Sequence, residues 1–287
     1  MFVIYIIAGI ILILIVLFGL MIKGYRNSPR PHRISPGNFD ISCEEVRFPT
    51  QNNRMLYGWW IPVNRECDEK YPTVILVHGW NRNLERLVPY IKRLYGKGYN
   101  LLAFDSRNHG SSDSDGYSSM LKFAEDIFAS IDFLKNKPCA DSNEVGVIGL
   151  SIGGAASIYA SAHDNRIKKV ITVGAFANPK DIMAFEFKKR NVPYPLVLLF
   201  LKFVQFRIKV SFDEIAPVNN IVKSGADILL IHGTDDQVVP YGEAEKLLNA
   251  AGKGKVQLLT LPGSEHSNCH EHPDFWGKVE NFLRSWS

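Results

Sequence analysis

Six short apolar runs constrain this chain more than any other feature. They are "TVILVHG" at 73–79, "NLLAFDS" at 100–106, "EVGVIGLS" at 144–151, "KVITVGAF" at 169–176, "DILLIHG" at 227–233 and "VQLLTLPG" at 256–263. A strand that is apolar on both faces belongs inside a sheet covered on both sides, which is how buried parallel strands read. Longer stretches of helical spacing separate the runs. In "MLKFAEDIFASIDFLKNK" at 120–137, Leu121, Ala124, Ile127, Phe128, Ile131 and Leu134 fall on one helical face. Strand, helix, strand in regular order predicts an α/β fold, with a mostly parallel central sheet and helices on both faces. Ahead of the runs, "EEVRFPT" and "LYGWWIP" predict an antiparallel hairpin leading into that sheet.

The first residues stand apart. Residues 2–22 carry no charge and are almost entirely Ile, Leu, Val, Phe and Gly, enough as a helix to cross roughly 30 Å of hydrocarbon. A cleaved signal peptide would carry a charged start, and no Lys or Arg precedes this run. The expectation is a single-pass transmembrane helix. Lys23, Arg26, Arg30 and Arg33 follow it, and cytoplasmic flanks collect such cations, so the rest of the chain is expected on the cytoplasmic side. Residues 23–40 read as a basic linker, solvated or laid against anionic headgroups, with three prolines in "NSPRPHRISPG". Residues 41–287 then form one domain.

Cys43, Cys67, Cys139 and Cys269 show no framework spacing and are expected as free thiols in a reducing compartment. With 33 basic and 29 acidic residues, the formal net charge of +4 is too small and too scattered to suggest a nucleic-acid partner.

Within "VIGLSIGGAAS", Ser151 sits where a strand turns into a helix, and Gly149 and Gly153 remove side chains that would collide on so tight a path. A bare structural turn is one reading. A phosphate loop is disfavoured, because neither G-x-G-x-x-G nor the Walker lysine is present. The third reading is a nucleophile elbow, matched by Gly149, Leu150, Ser151, Ile152 and Gly153. Two later strand ends supply partners, Asp236 in "HGTDDQVVP" and His266 in "PGSEHSN". The chain order Ser, Asp, His separates this arrangement from the other serine hydrolase orders.

With "HGW" at 78–80, "DSRNHGSS" at 105–112, "GLSIGG" at 149–154 and the Asp236/His266 pair, the chain resembles the α/β-hydrolase superfamily over roughly residues 46–285. The resemblance implies Ser151 as nucleophile, His266 as base and Asp236 as the acid that fixes the imidazole. It also implies an oxyanion hole from the backbone N–H groups of Trp80 and Ile152. Two departures stand out: "HGW" is not the HGGG loop of some lipases, and Asn108 stands where the family more often has glycine. Asp105, Arg107 and His109 are expected as braces of their loop.

Other residues compete for these roles. Asp235 adjoins Asp236, but successive strand-end residues point in opposite directions, so only one can face the histidine. His270 and His272 with Cys269 could be a metal cluster, yet no second group of ligands completes a site; no metal or cofactor is expected. His78, His109 and His232 sit beside strand-end glycines and are expected to meet backbone partners.

A short cap is expected over about 177–212. Its "YPLVLLFLKFVQF" at 194–206 is apolar around nearly its whole circumference, as either a buried helix or a lid suited to acyl chains. The expected activity is hydrolysis of carboxylic esters or thioesters of small-molecule or lipid-like acyl substrates. A serine peptidase and a noncatalytic binding protein of the same fold are the alternatives. Residues that bind substrate are not readable.

Overall fold

The computed structural model describes residues 1–24, 26–27, 29–39, 41–63, 69–252 and 254–284, without the side chains of 3, 6–8, 10–11, 24 and 36. Among these residues, eight strands make one sheet: β1 (Glu44–Thr50), β2 (Arg54–Ile61), β3 (Tyr71–Val77), β4 (Asn100–Phe104), β5 (Ala140–Leu150), β6 (Ile167–Val173), β7 (Asp227–Gly233) and β8 (Val256–Leu261). Their spatial order is β1-β2-β4-β3-β5-β6-β7-β8. The expected hairpin is β1 against β2, β2 pairs antiparallel with β4, and every later pairing is parallel.

Among the described residues, ten helices accompany the sheet: α1 (Phe2–Gly24), α2 (Val88–Leu94), α3 (Met120–Leu134), α4 (Ile152–Ser161), α5 (Pro179–Lys189), α6 (Tyr194–Ile208), α7 (Phe212–Ile215), α8 (Pro217–Asn220), α9 (Gly242–Ala250) and α10 (Pro273–Arg284). Successive strand residues serve opposite layers. Ile75, Val147 and Val170 face the core under α3 and α4, while Val74, Ile148 and Ile171 face the core under α2 and α10. Side-chain alternation with period two therefore builds both cores from one set of apolar strands. On α3 the buried face is turned slightly from the expected one. Phe123 is buried with Ala124, Ile127, Ile131 and Leu134, and Leu121 and Phe128 are half-buried.

Among the described residues, no helix is long and apolar enough to cross a membrane. The expected span over 2–22 includes the positions of α1 whose side chains lie outside that set. At its other end, α1 packs Phe18 edge-on against Phe203 of α6, with ring centroids 5.6 Å apart. The linker's cations Lys23, Arg26, Arg30 and Arg33 are exposed, as expected, while its backbone lies along the domain. Asn83 Nδ2 donates to the Arg30 carbonyl at 3.1 Å, and Glu85 Oε1 accepts from the backbone N–H groups of Arg33 and, at 2.8 Å, Ile34. His32 Nε2 lies 2.8 Å from the buried Asp105 Oδ2. The free-thiol expectation is corrected. Cys139 is in a disulfide, Cys43 and Cys269 are free, and Cys67 lies outside the described residues.

Candidate active site

Ser151 occupies the sharp turn between β5 and α4 with φ 54° and ψ −118°, a positive φ that costs a non-glycine residue on the order of 1–3 kcal/mol. The surrounding backbone enforces it. Ser151 N–H donates to the Val173 carbonyl on β6 at 2.8 Å, and Ser151 C=O accepts from Ala155 N–H at 3.0 Å. A Cβ on Gly149 would collide with the Gly153 backbone, and one on Gly153 would come within 2.7 Å of the His78 carbonyl and 2.8 Å of the Val77 carbonyl. The two glycines are thus needed for the helix to start against two strands at once. Ile152 opens α4, so its N–H is among the first-turn donors that no helical carbonyl accepts.

Asp236, three residues past β7, is buried while its neighbour Asp235 is exposed. One carboxylate oxygen of Asp236 accepts from the N–H groups of Val238 and Val239, each at 2.8 Å. The other stands 2.6 Å from His266 Nδ1. Burial alone would raise the Asp236 pKa. The hydrogen bonds from His232, His266 and Val239 and the histidine charge overcome it and hold the carboxyl well below its usual range. Asp235 instead accepts from its neighbour Thr234 Oγ1. Gly174 closes the far side, with φ +66° and a position where a Cβ would lie 3.0 Å from the His266 ring.

Ser151 opens on two cavities. One, of about 270 Å³, is lined by Ser151, His266, Trp80, Arg30, Arg82 and Arg86. The other, of about 290 Å³, lies under the cap and is lined by Ser151, Ile152, Met183, Phe187, Val204 and Ile208. Gly79 passes so close to the serine that a Cβ there would sit 3.4 Å from Ser151 Cβ. His78, just before it, is wholly buried. Its Nδ1 donates to the Gly79 carbonyl at 2.7 Å, and its Nε2 accepts from Ser106 N–H at 3.0 Å. His232 Nε2 reaches the Val239 carbonyl at 2.8 Å, and His109 Nδ1 the Arg107 carbonyl at 2.9 Å. Cys269 also lines the catalytic cavity, but burial and the Asp236 charge push its thiol up to about 11, so no thiolate competes with the serine at neutral pH.

A family model described as the prolyl oligopeptidase family matches residues 122–286, which carry Ser151, Asp236 and His266 together. The chain belongs to the prolyl oligopeptidase family. It is 28% identical to the protein YfhR of Escherichia coli over 252 residues, covering 85% of this chain and 81% of YfhR. It is 32% identical to the thiohydrolase aneE of Aspergillus aculeatus over 105 residues, 36% of this chain and 33% of that one. In structure it is similar to the Pyrococcus furiosus esterase Pf2001, with a TM-score of 0.73 and 23% identity, covering 91% of this chain and 99% of the esterase. That likeness shows the α/β-hydrolase fold.

Within this prolyl oligopeptidase family frame, the structure gathers the residues named from sequence. Ser151, His266 and Trp80 share one cavity, Asp236 holds His266, and Ile152 borders the second cavity. The braces are also assembled. Arg107 is buried between Asp126, at 2.7 Å, and Asp115, at 3.0 Å, and pairs with Glu125 as well. Asp105 accepts from the N–H groups of Leu84 and Ser111 at 2.8 Å each. His270 joins the cavity wall. Among the described residues, no group of three or more His, Cys, Asp or Glu side chains is placed to hold a metal.

Several residues escape a sequence reading. Gly174 reads as an ordinary strand end until its neighbour His266 is known. Arg30 reaches the cavity wall only because the linker folds back. On α6, the cavity is lined by Val204 and Ile208, whereas Leu199 is 51% and Phe206 80% exposed. The cap helix is thus one-sided, with Val197, Phe200 and Leu201 buried beneath it.

Proposed function

We propose that this protein is a membrane-anchored serine hydrolase that cleaves carboxylic ester or thioester bonds of apolar acyl substrates through an acyl-enzyme on Ser151. The carrying observation is the strained Ser151 turn facing a cavity shared with His266, whose Nδ1 is tied to the buried Asp236 carboxylate at 2.6 Å.

In the first half-reaction, Ser151 Oγ attacks the carbonyl carbon and its proton passes to His266 Nε2. Asp236 keeps the Nδ1–H tautomer and stabilises the imidazolium. The oxyanion forms between the N–H groups of Trp80 and Ile152, each such donor being worth on the order of 10²–10³ in rate. The bond from carbonyl carbon to oxygen or sulfur breaks, and His266 returns the proton to the leaving atom. Water then repeats the attack on the acyl-enzyme, giving the carboxylic acid and free Ser151. The apolar cavity under α5 and α6 supports an acyl chain there.

Anchoring rests on α1, whose Phe2, Ile4, Leu12, Ile13 and Ile15 side chains are exposed. Placement of the domain on the cytoplasmic side rests on the cations after residue 22, because the Cys139 disulfide removes the support that free cysteines gave. The family match supports a second reading, a peptidase. Turnover of p-nitrophenyl esters from acetyl to decanoyl, set beside a peptidyl-prolyl amide, separates the two. The proposal expects ester kcat/KM to rise with chain length and to exceed that of the amide. Faster cleavage of the amide transfers the site to the peptidase reading.

A further inference from the structure

The two cavities beside Ser151 differ in a way that assigns the halves of the substrate. His266 must hand its proton to the leaving atom, so the leaving group lies in the cavity that His266 lines. The acyl chain then takes the apolar cavity under the cap. The His266 cavity is the basic one, with Arg30, Arg82 and Arg86 on its wall. Arg86 donates to the Ser267 carbonyl, beside His266. Burial, and then the charges of Arg30 and Arg86, lower the Arg82 pKa. Three arginines on one concave wall gather a positive potential on the leaving-group side.

Their placement is built rather than incidental. Arg82 and Arg86 stand on the segment between Gly79 and α2, and Arg30 is brought to it by the linker. Asn83 holds the Arg30 carbonyl at 3.1 Å, Glu85 holds Arg33 and Ile34, and His32 sits 2.8 Å from Asp105, which also holds Leu84 N–H. Guanidinium groups recognise phosphate through paired hydrogen bonds.

Resting on the serine hydrolase reading, we infer that this cavity takes a phosphate-bearing leaving group. The substrate is then an acyl ester or thioester whose alcohol or thiol part carries a phosphate.

The test compares the butyryl esters of glycerol and of glycerol phosphate, using the full-length protein in neutral detergent. The phosphate ester should have a kcat/KM about tenfold or more above the neutral one, the scale of one charge-assisted hydrogen bond. That ratio should shrink with added salt. Arg82→Gln and Arg30→Gln should each bring it towards one, and Arg82→Lys should keep part of it. The oleoyl pair in phosphatidylcholine vesicles forms a second arm. A preference seen only there identifies a lipid headgroup, and one seen in both identifies the phosphate itself. Calorimetry of glycerol phosphate on Ser151→Ala reads the site without turnover, so failure of the chemistry and failure of the anion site are distinguishable. Equal kcat/KM for the two esters at low salt, or no binding of glycerol phosphate, overturns the inference.

Discussion

The back of the catalytic cavity and its front are held by different means. At the back, Ser151, Asp236 and His266 stand one, three and five residues past the ends of β5, β7 and β8, fixed by the sheet and by glycines that let backbone pass backbone. At the front, Arg30 comes from a linker far away in sequence, pinned by hydrogen bonds to Asn83 and Glu85 and by the 2.8 Å approach of His32 to Asp105. A buried parallel sheet places its strand ends with the cooperativity of the whole core. A docked linker depends on a few polar contacts, each worth roughly 0.5–1.5 kcal/mol net. Chemistry is accordingly expected from the back and substrate selection from the front.

The sharpest test of the back compares the adjacent acids. Asp236→Asn should lower kcat on the order of 10⁴-fold through the wrong histidine tautomer, while Asp235→Asn should change it only severalfold. Steady-state ester kinetics measure both, and the opposite ranking would move the acid to Asp235.

The next largest effect belongs to the cap. Val204→Asn with Ile208→Asn should erase the advantage of long acyl chains, since each buried methylene contributes about 0.8 kcal/mol. Turnover of acetyl esters should persist. If acetyl and decanoyl turnover collapse together, α6 is core rather than the acyl wall.

The front should yield a smaller effect, read as stability. His32→Ala removes the imidazole 2.8 Å from the buried Asp105 carboxylate, which also accepts from the Leu84 and Ser111 N–H groups, and should cost about 1–3 kcal/mol by urea denaturation. Although burial opposes it, the hydrogen bond and charge of Asp105, with Glu85 and Glu45, raise the His32 pKa. Its stabilisation is therefore full below the ordinary histidine value and fades as pH rises through the raised one. An unchanged unfolding midpoint would show that the linker is not docked.

The last effect, spread over a range of pH, concerns acid sensitivity in the loop after β4. Burial, helped by neighbouring His78, lowers the His109 pKa from 6.5 to about 4. A histidine depressed in the folded state takes up its proton first in the unfolded chain, so stability should fall as pH drops from about 6.5 towards 4. The slope is at most about 1.4 kcal/mol per pH unit for this group. His109→Gln should flatten that slope, and an unaltered slope would place the titration elsewhere.

The contrast also explains what the sequence could tell. The parallel sheet, the elbow and the Ser, Asp, His order are written in local patterns, because apolar runs, glycines and strand-end polar residues fall within a few positions of one another. Asp236 could be preferred to Asp235 from strand alternation alone, and the structure buries the one and exposes the other. What escaped depends on partners distant in the chain. Leu199 and Phe203 look no less suited to a lid than Val204 and Ile208, because a helix apolar all round does not reveal which side meets the cavity. The docking of the linker backbone and of His32 escaped because Asn83, Glu85 and Asp105 lie some fifty to seventy positions away. The Cys139 disulfide escaped for the same reason, since cysteine spacing alone does not report proximity in space.

The central claim is that Ser151 is a nucleophile activated by His266 and Asp236. Peptide mapping by mass spectrometry after treatment with a fluorophosphonate tests it most directly. The account predicts a single adduct on Ser151, lost in His266→Ala and retained in Asp235→Asn. An unlabelled Ser151, or an adduct that persists undiminished when His266 is removed, would contradict it.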